Sequence, residues 1–568
     1  MTQPFVAPVS SRAQWLAIGG AALSGVGVLL VWLLGTPTGI LREQLKLLQP
    51  WWLDACVLAG LMAAVCVYRT VDATAFRREA PRLAMLAVLG AALTLTVAPR
   101  TNRIFYDEQI YQSIGQNLAD LRLAQVCHDG SVEYGRLRCA SGDYNKQPYG
   151  YPHVLSLAYR LFGVHASTAF AVNAAVMAAT ACAVYLLVCV LFANREAAIF
   201  AGLLITLTPQ QLMWSATAAV EPSASLAIVV ALLMAACYLR SGTPAALCAT
   251  AVAAAYAVQF RPESIVILVV IGLVVWPRLQ SDLRHPRGWW AVMIFLGLVA
   301  IHLAHLFAIR NVEWGTVGPR FSVRYLPENL RVNGLFYLYD ERFPVVFSLL
   351  AIAGLLSAEY WRERAAMAIY FFLFFATGLV FYAGSYNYGA DVRYSLMTYP
   401  PIAVLGGLGA SRIIRGMSHA GKRSGAGALA TALSVVILLF QFLWYAPVVR
   451  ATTEEAWAAR ADVRFARAFA GSVPPNAYVL THNPGMFHVW GVNAGQMSLV
   501  TSNPAYVRFL ADRYPGGIFL HWNFWCNVQD PAHPEMCRQA LTQGAGELVT
   551  EYRERDQRFA FYRLKQVK

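Results

Sequence analysis

The chain has 568 residues, of which 58% are hydrophobic and only 13% charged. Soluble globular proteins carry about 25% charged residues, so this composition excludes an ordinary soluble protein and marks an integral membrane protein. The net charge of +14 does not point to nucleic acid, because many of the Lys and Arg residues stand in short loops between apolar runs, as membrane orientation requires.

The N-terminal "MTQPFVAPVSSRAQ" has one Arg before a long apolar run. It lacks a short apolar region followed by a small-residue cleavage site, and reads as an uncleaved first span. A span takes about 20 apolar residues. Runs that meet or approach this length lie near 15–35, 51–68, 83–98, 167–192, 196–213, 221–239, 244–260, 262–277, 289–309, 344–358, 365–383, 396–413 and 427–446, which predicts 13 spans. With the N-terminus in the cytoplasm, the inside loops hold Arg69, Arg77, Arg78 and Arg82; Arg195; Arg240; Arg278, Arg284 and Arg287; Arg362 and Arg364; and Arg412, Arg415, Lys422 and Arg423. Every inside loop then carries a base, as the positive-inside rule expects. The long loops 99–166 and 310–343 and the tail 447–568 fall outside. Six of the ten cysteines lie in apolar runs; the other four form two local pairs in the outside segments, Cys127 with Cys139 and Cys526 with Cys537. Paired cysteines suit an oxidising compartment, and two disulfides are expected.

The first outside loop begins "RIFYDEQIYQSIGQNLAD", Arg103 to Asp120. Tyr106, Ile110, Ile114, Leu118 and Leu121 recur at helical spacing, which predicts a helix lying along the outer membrane surface. Asp107 and Glu108 open it, and Tyr111, four residues after Asp107, shares an adjacent face. These residues alone leave two readings, a helix N-terminus favoured by acidic side chains or a functional pair. Next comes "YNKQPYGYPHVLSLAYRLFG", with Lys146, Tyr149 and two prolines ahead of an apolar helix. Glu221 starts one span, and Arg261 and Glu263 share a tight outer turn. Ionisable residues beside a bilayer are paired or functional. His302 and His305 lie three apart on one helical face, as a packed or hydrogen-bonded pair or as two ligands of a metal site with a carboxylate as the third. The second long loop, "RNVEWGTVGPRFSVRYLPENLR", holds Arg310, Arg320, Arg324 and Arg331 outside, against the positive-inside bias. A late segment, "DVRYSLMTYPPIAVLGGLG", brings Arg393 and Tyr394 to the head of a span.

The tail breaks into short apolar runs separated by turn residues and ends "ELVTEYRERDQRFAFYRLK", a strand, a charged turn and another strand. It reads as a small α/β or α+β domain. His482, His488, Trp490, His521, Trp522 and Trp525 suit either a sugar-stacking surface or the interior of such a domain.

Three of these segments, in their order and on their membrane side, resemble the GT-C membrane glycosyltransferases. The Asp-Glu pair with Tyr111 is similar to that superfamily's first periplasmic loop, the Lys-proline-aromatic segment ending in Leu-Phe-Gly to its second landmark, and the Arg-Tyr segment with its proline pair to its late span. The nearest branch holds the protein O-mannosyltransferases and the lipid A aminoarabinose transferase. The resemblance runs from about 83 to 415. Two spans precede it, the proline pair of the second landmark is split into Pro148 and Pro152, and the tail after 450 has no counterpart in it.

The apolar runs, the charge pattern and the tail together with the resemblance predict a mainly α, polytopic GT-C-like fold of about 13 transmembrane helices with a small C-terminal α/β or α+β domain. Residues 1–82 add two N-terminal spans, 83–446 form the catalytic module, and 447–568 form a periplasmic domain. The resemblance implies a hexosyl or pentosyl transferase of the bacterial inner membrane that moves a sugar from a polyprenyl-phosphate carrier to a lipid, glycan or protein acceptor at the periplasmic face. Asp107 would be the general base and Glu108 its partner; Lys146, Arg320, Arg324 and Arg393 would bind the carrier phosphate. Tyr111, Tyr149, Glu221, Arg261, Glu263 and Tyr394 would line the cavity. No particular cofactor is required, and a divalent metal stays open. Rival readings are a transporter or flippase of a lipid-linked or anionic substrate, and an O-antigen ligase or polymerase. A transporter gathers charge near the bilayer midplane and shows internal repeats; here the charges gather at one face.

Overall fold

A computed structural model describes residues 12–70, 73–104, 106–312, 318–357, 359–387, 392–420, 426–452 and 456–565. Asp391 and the loop bases Lys422 and Arg423 lie outside the described residues. Each of the 13 apolar runs coincides with helix. Among the described residues nine helices are long and apolar enough to cross a membrane, and one bent pair makes a tenth. The bent pair is the run expected over 196–213. It splits into Arg195–Thr206 and Pro209–Ser215 with a 61° bend, because Pro209 drives Thr208 into an extended conformation. Two more runs form only short helices, Pro244–Ala257 and Val345–Leu355. The thirteenth is Tyr399–Ala420, led by the 3-10 turn Tyr394–Thr398.

Backbone-to-backbone approach explains the glycines of "AVLGGLG". A Cβ at Gly409 would lie 2.0 Å from the Leu350 carbonyl oxygen, and one at Gly407 2.3 Å from that of Ala197. Small residues thus seat Tyr399–Ala420 between Val345–Leu355 and Arg195–Thr206, the packing that membrane helices favour where hydrophobicity drives no association.

Seven strands form one mixed sheet: β1 Val126–Glu133, β2 Arg136–Asp143, β3 Ala477–Thr481, β4 Asn493–Gln496, β5 Gly517–Trp522, β6 Gly546–Glu554 and β7 Gln557–Leu564, in the order β2-β1-β4-β3-β5-β7-β6. The expected terminal hairpin is β6–β7. The tail does not make its sheet alone, however. The β1–β2 hairpin comes from the first long loop and joins through β1, where Asp129 pairs with Gly495 and Gly130 with Ala494. Both expected disulfides are present: Cys127–Cys139 staples β1 to β2, and Cys526–Cys537 ties a 3-10 turn to the helix Ala532–Gln543.

The helix Asp107–Asp120 is buried on more than its expected apolar stripe. Ile114 and Leu118 pack with Leu53, Tyr149 and Val126, as the apolar stripe predicts. The polar face is buried too, including Gln112, Ser113, Gln116 and Asn117. Gln116 Nε2 donates to the His488 carbonyl at 3.3 Å, and Ser113 meets Gly485 of the helix Pro484–Val489. Other parts of the chain therefore cover the helix on its polar as well as its apolar face.

Candidate active site

Asp107 is the first residue of its helix, where the N-terminal dipole favours a carboxylate. Its Oδ2 accepts from Arg393 Nη1 at 3.3 Å. The same guanidinium places Nε 3.9 Å from Glu221 Oε1. Glu221, fully buried at the start of Glu221–Ser241, also accepts from Arg261, which in turn donates to Glu263. Asp107, Arg393, Glu221, Arg261 and Glu263 therefore form a chain of alternating charge. Tyr394 lies beneath both arginines, its ring 5.0 Å from the Arg393 guanidinium and 5.1 Å from that of Arg261.

This chain borders a cleft of about 640 Å³. Asp107, Tyr111, Lys146, Arg261, Glu263, Arg320, Arg393 and Tyr394 all line it. Counting Glu221 behind the wall, three carboxylates face four bases, Lys146, Arg261, Arg320 and Arg393, which leaves one net positive charge (4 − 3). Apolar side chains, among them Phe260, Ile265, Phe321 and Phe374, line the rest of the cleft. Burial pulls the Lys146 ammonium below its ordinary value; Asp107 opposes that shift and Arg320 adds to it.

Long-range backbone contacts assemble it. The Gly150 N–H donates to the Gln259 carbonyl at 2.9 Å, and a Cβ on Gly150 would lie 2.8 Å from that oxygen. Glycine there lets the segment carrying Lys146 close on the one carrying Arg261. Arg320 is held by a bridge between Phe321 and Phe381: the Tyr382 N–H donates to the Arg320 carbonyl at 3.0 Å, and the Ser322 N–H to that of Val380 at 2.8 Å.

Four expectations fall elsewhere. Glu108 is 0% exposed and does not line the cleft. Its Oε1 accepts the N–H groups of Arg103 at 2.5 Å and Ile104 at 3.0 Å, and its Oε2 that of Ala218 at 2.8 Å. Burial outweighs these donors and pushes its pKa up to about 7. Arg324 is exposed, stacked 4.8 Å over Tyr325, because it sits on a turn beyond the Arg320 bridge. Tyr149 is buried away from the cleft, where its hydroxyl donates to the Ala124 carbonyl at 3.1 Å and accepts the Asn145 N–H at 2.9 Å. His302 and His305 stack with ring centroids 5.9 Å apart, and His305 Nδ1 lies 2.7 Å from the Tyr144 hydroxyl. Among the described residues the only group of three ligand atoms is His482 with Cys526 and Cys537, whose sulfurs form a disulfide. At the cleft the arginines contact Asp107 through Oδ2, Glu221 through Oε1 and Glu263 through Oε1.

In the tail His488 and His521 are buried and His482 is half-buried. His521 stacks on Phe561 at 4.5 Å, and His488 Nε2 lies 2.9 Å from the Ala494 carbonyl. Burial pushes His482 and His488 down to about 4. Sequence reading missed Thr377, Tyr382 and Tyr386, which also line the cleft. They follow or end an apolar run, and nothing in their spacing sets them apart from a lipid-facing aromatic girdle.

Residues 146–305 match the profile of the dolichyl-phosphate-mannose-protein mannosyltransferase family. That segment carries Lys146, Glu221, Arg261 and Glu263. Among curated proteins none matches the chain. In solved structures the chain is similar to ArnT from Cupriavidus metallidurans bound to undecaprenyl phosphate, with 14% identity, 87% of this chain and 98% of that one covered, and a TM-score of 0.51. The apo ArnT structure gives 15% identity, 86% and 98% coverage and the same TM-score of 0.51. The Archaeoglobus fulgidus oligosaccharyltransferase, in complex with Zn and sulfate, matches at 12% identity over 84% of this chain and 72% of its own, with a TM-score of 0.47. At these identities the ArnT likeness is one of fold. The fold is GT-C-like, mostly helical, with a small sheet region toward the C-terminus.

Proposed function

We propose that the protein is a glycosyltransferase that takes a sugar from a polyprenyl-phosphate carrier and places it on an acceptor at the outer membrane face. The observation that carries this reading is the grouping of Asp107 with Lys146, Arg320 and Arg393 around one cleft that apolar side chains also line. In the reaction the bond between the anomeric carbon and the phosphate oxygen breaks, and the phosphate leaves with the electron pair. The acceptor's nucleophilic atom bonds to that carbon, and its proton passes to Asp107. The transition state is oxocarbenium-like. A leaving phosphate already carries charge, so it needs cations in place of a strong acid. Lys146 acts on it as a point charge and the arginines as planar forks. Arg393 contacts Asp107; a phosphate oxygen competes for that guanidinium and leaves the carboxylate free to receive the proton. Glu108 acts indirectly, by holding the backbone on either side of the cleft through Arg103, Ile104 and Ala218.

The similar ArnT structure was solved with undecaprenyl phosphate, a polyprenyl phosphate, which supports the donor class. The bases of the inside loops and the two disulfides support a bacterial inner-membrane protein with its N-terminus in the cytoplasm and its C-terminal domain in the periplasm. The acceptor is a lipid, glycan or protein. The test is reconstitution in lipid nanodiscs with polyprenyl-phosphate-linked pentose, aminopentose and hexose in parallel. Sugar-dependent release of carrier phosphate is expected with one of them, and none with any donor or envelope acceptor fraction overturns the reading.

A further inference from the structure

Asp107 sits between two neighbours that are tied to opposite halves of the molecule. Glu108 is bonded to the membrane module through the Ala218 N–H at 2.8 Å. Tyr106 reaches the other way. Its carbonyl accepts the first hydrogen bond of the helix, from Ile110 N–H at 3.0 Å, while its phenol is buried in the C-terminal domain between Phe524 and Trp525, with ring centroids 6.2 and 5.8 Å away. The Tyr106 hydroxyl donates to Asp462 Oδ2. Asp462 is 0% exposed; its Oδ2 also accepts the Phe524 N–H at 3.0 Å, and its Oδ1 lies 2.9 Å from His521 Nε2. His521 Nδ1 in turn faces the Thr481 hydroxyl at 3.2 Å. Tyr106 makes no side-chain cap to its own helix, so the contacts of its phenol, and not a local cap, join the start of the helix to the domain.

We propose that Tyr106, Asp462 and His521 are positioning residues for Asp107, which makes the C-terminal domain a working part of the catalytic apparatus. The proposal rests on the glycosyltransferase reading for its kinetic consequence, but its mechanical content stands apart from it. A carboxylate at the first position of a helix moves with that helix's first turn, and small displacements of a reacting group are costly in rate.

Tyr106→Phe keeps the ring packing and removes the hydroxyl; Asp462→Asn keeps the shape and weakens the acceptor. The control is Tyr478→Phe, which removes a similar buried Tyr–Asp hydrogen bond, to Asp129, in the same sheet but away from the start of the helix. Turnover with the polyprenyl-phospho-sugar should fall about tenfold in Tyr106→Phe, with KM for the donor within about twofold of the parent, while Tyr478→Phe keeps turnover within about twofold. Hydrogen exchange, which needs no substrate, should show faster exchange at the amides of 107–110 in Tyr106→Phe and Asp462→Asn but not in Tyr478→Phe. Equal loss of turnover in both phenylalanine variants would make the network merely structural, and unchanged exchange at 107–110 would overturn the positioning role whatever the activity.

Discussion

In the cleft, Arg393 stands 3.3 Å from Asp107 and 3.9 Å from Glu221, contacts that a ligand oxygen can replace. In the C-terminal domain, Asp462 and His521 are both 0% exposed and bonded to Tyr106, Phe524 and Thr481. The first arrangement leaves charge at a wall open to a 640 Å³ space; the second spends it on the fold. Charge-bearing residues outside a lipid bilayer therefore divide by what their partners are, and the same residue types serve binding in one region and cohesion in the other.

Substitutions separate the two regions. The largest stability effect is expected from Asp462→Ala, which removes the shared acceptor of the Tyr106 hydroxyl and the Phe524 N–H and the partner of His521 Nε2. Removing one partner of a buried charged network costs about 3–5 kcal/mol, so the unfolding temperature should drop sharply. A drop no larger than that of a surface Asp→Ala variant would place Asp462 with the cleft charges. Arg393→Ala should do the reverse. A hydrogen bond to a charged group contributes about 1.5–3 kcal/mol, so affinity for polyprenyl phosphate should fall about 10- to 100-fold, with a smaller drop in unfolding temperature than in Asp462→Ala, since Glu221 keeps Arg261. Isothermal titration in nanodiscs measures it, and unaltered affinity would remove Arg393 from the phosphate site.

Glu108 sharpens the boundary, since it adjoins Asp107 and yet belongs to the fold. Its pKa rises from the ordinary 4.5 to about 7 on folding. Between those values the folded protein keeps a proton that the unfolded chain has lost, so this group's contribution to stability declines as pH rises from 4.5 to 7 and is level above. Glu108→Gln should flatten the unfolding profile over that interval; an identical slope in variant and parent would contradict the shift. The smallest effect is expected from Arg324→Ala. Exposed and stacked on Tyr325, it should change donor affinity by less than about twofold, and a large loss would extend the phosphate site beyond the Arg320 bridge.

Much of the fold was legible. Apolar length located the 13 helical runs, and the two cysteine pairs were visible as neighbours in non-apolar segments. The break at Thr208–Pro209 was readable in principle from the proline, but an apolar window averages across it. The pairing of β1 with β4 joins residues more than 360 positions apart, which no local pattern carries. The Asp107 cleft was legible as a list of charges on one membrane side. Which of them point inward was not, because Arg320 and Arg324 differ by four residues in sequence and are separated only by the backbone bridge at Phe321. Glu108 and Asp107 are likewise equivalent in sequence, and become distinct only when the backbone N–H groups of Arg103, Ile104 and Ala218 converge on one of them.

The central claim is that Asp107 takes the acceptor's proton beside a phosphate-binding wall. Its most direct test is single-turnover sugar transfer by Asp107→Asn in nanodiscs, with polyprenyl-phosphate binding measured on the same preparation. The account predicts a transfer rate lower by about 10²- to 10⁴-fold, the range of a lost general base, with carrier phosphate bound at least as tightly as by the parent, since Arg393 is then free of its carboxylate partner. Transfer at the parent rate by a protein that binds the carrier normally would contradict it.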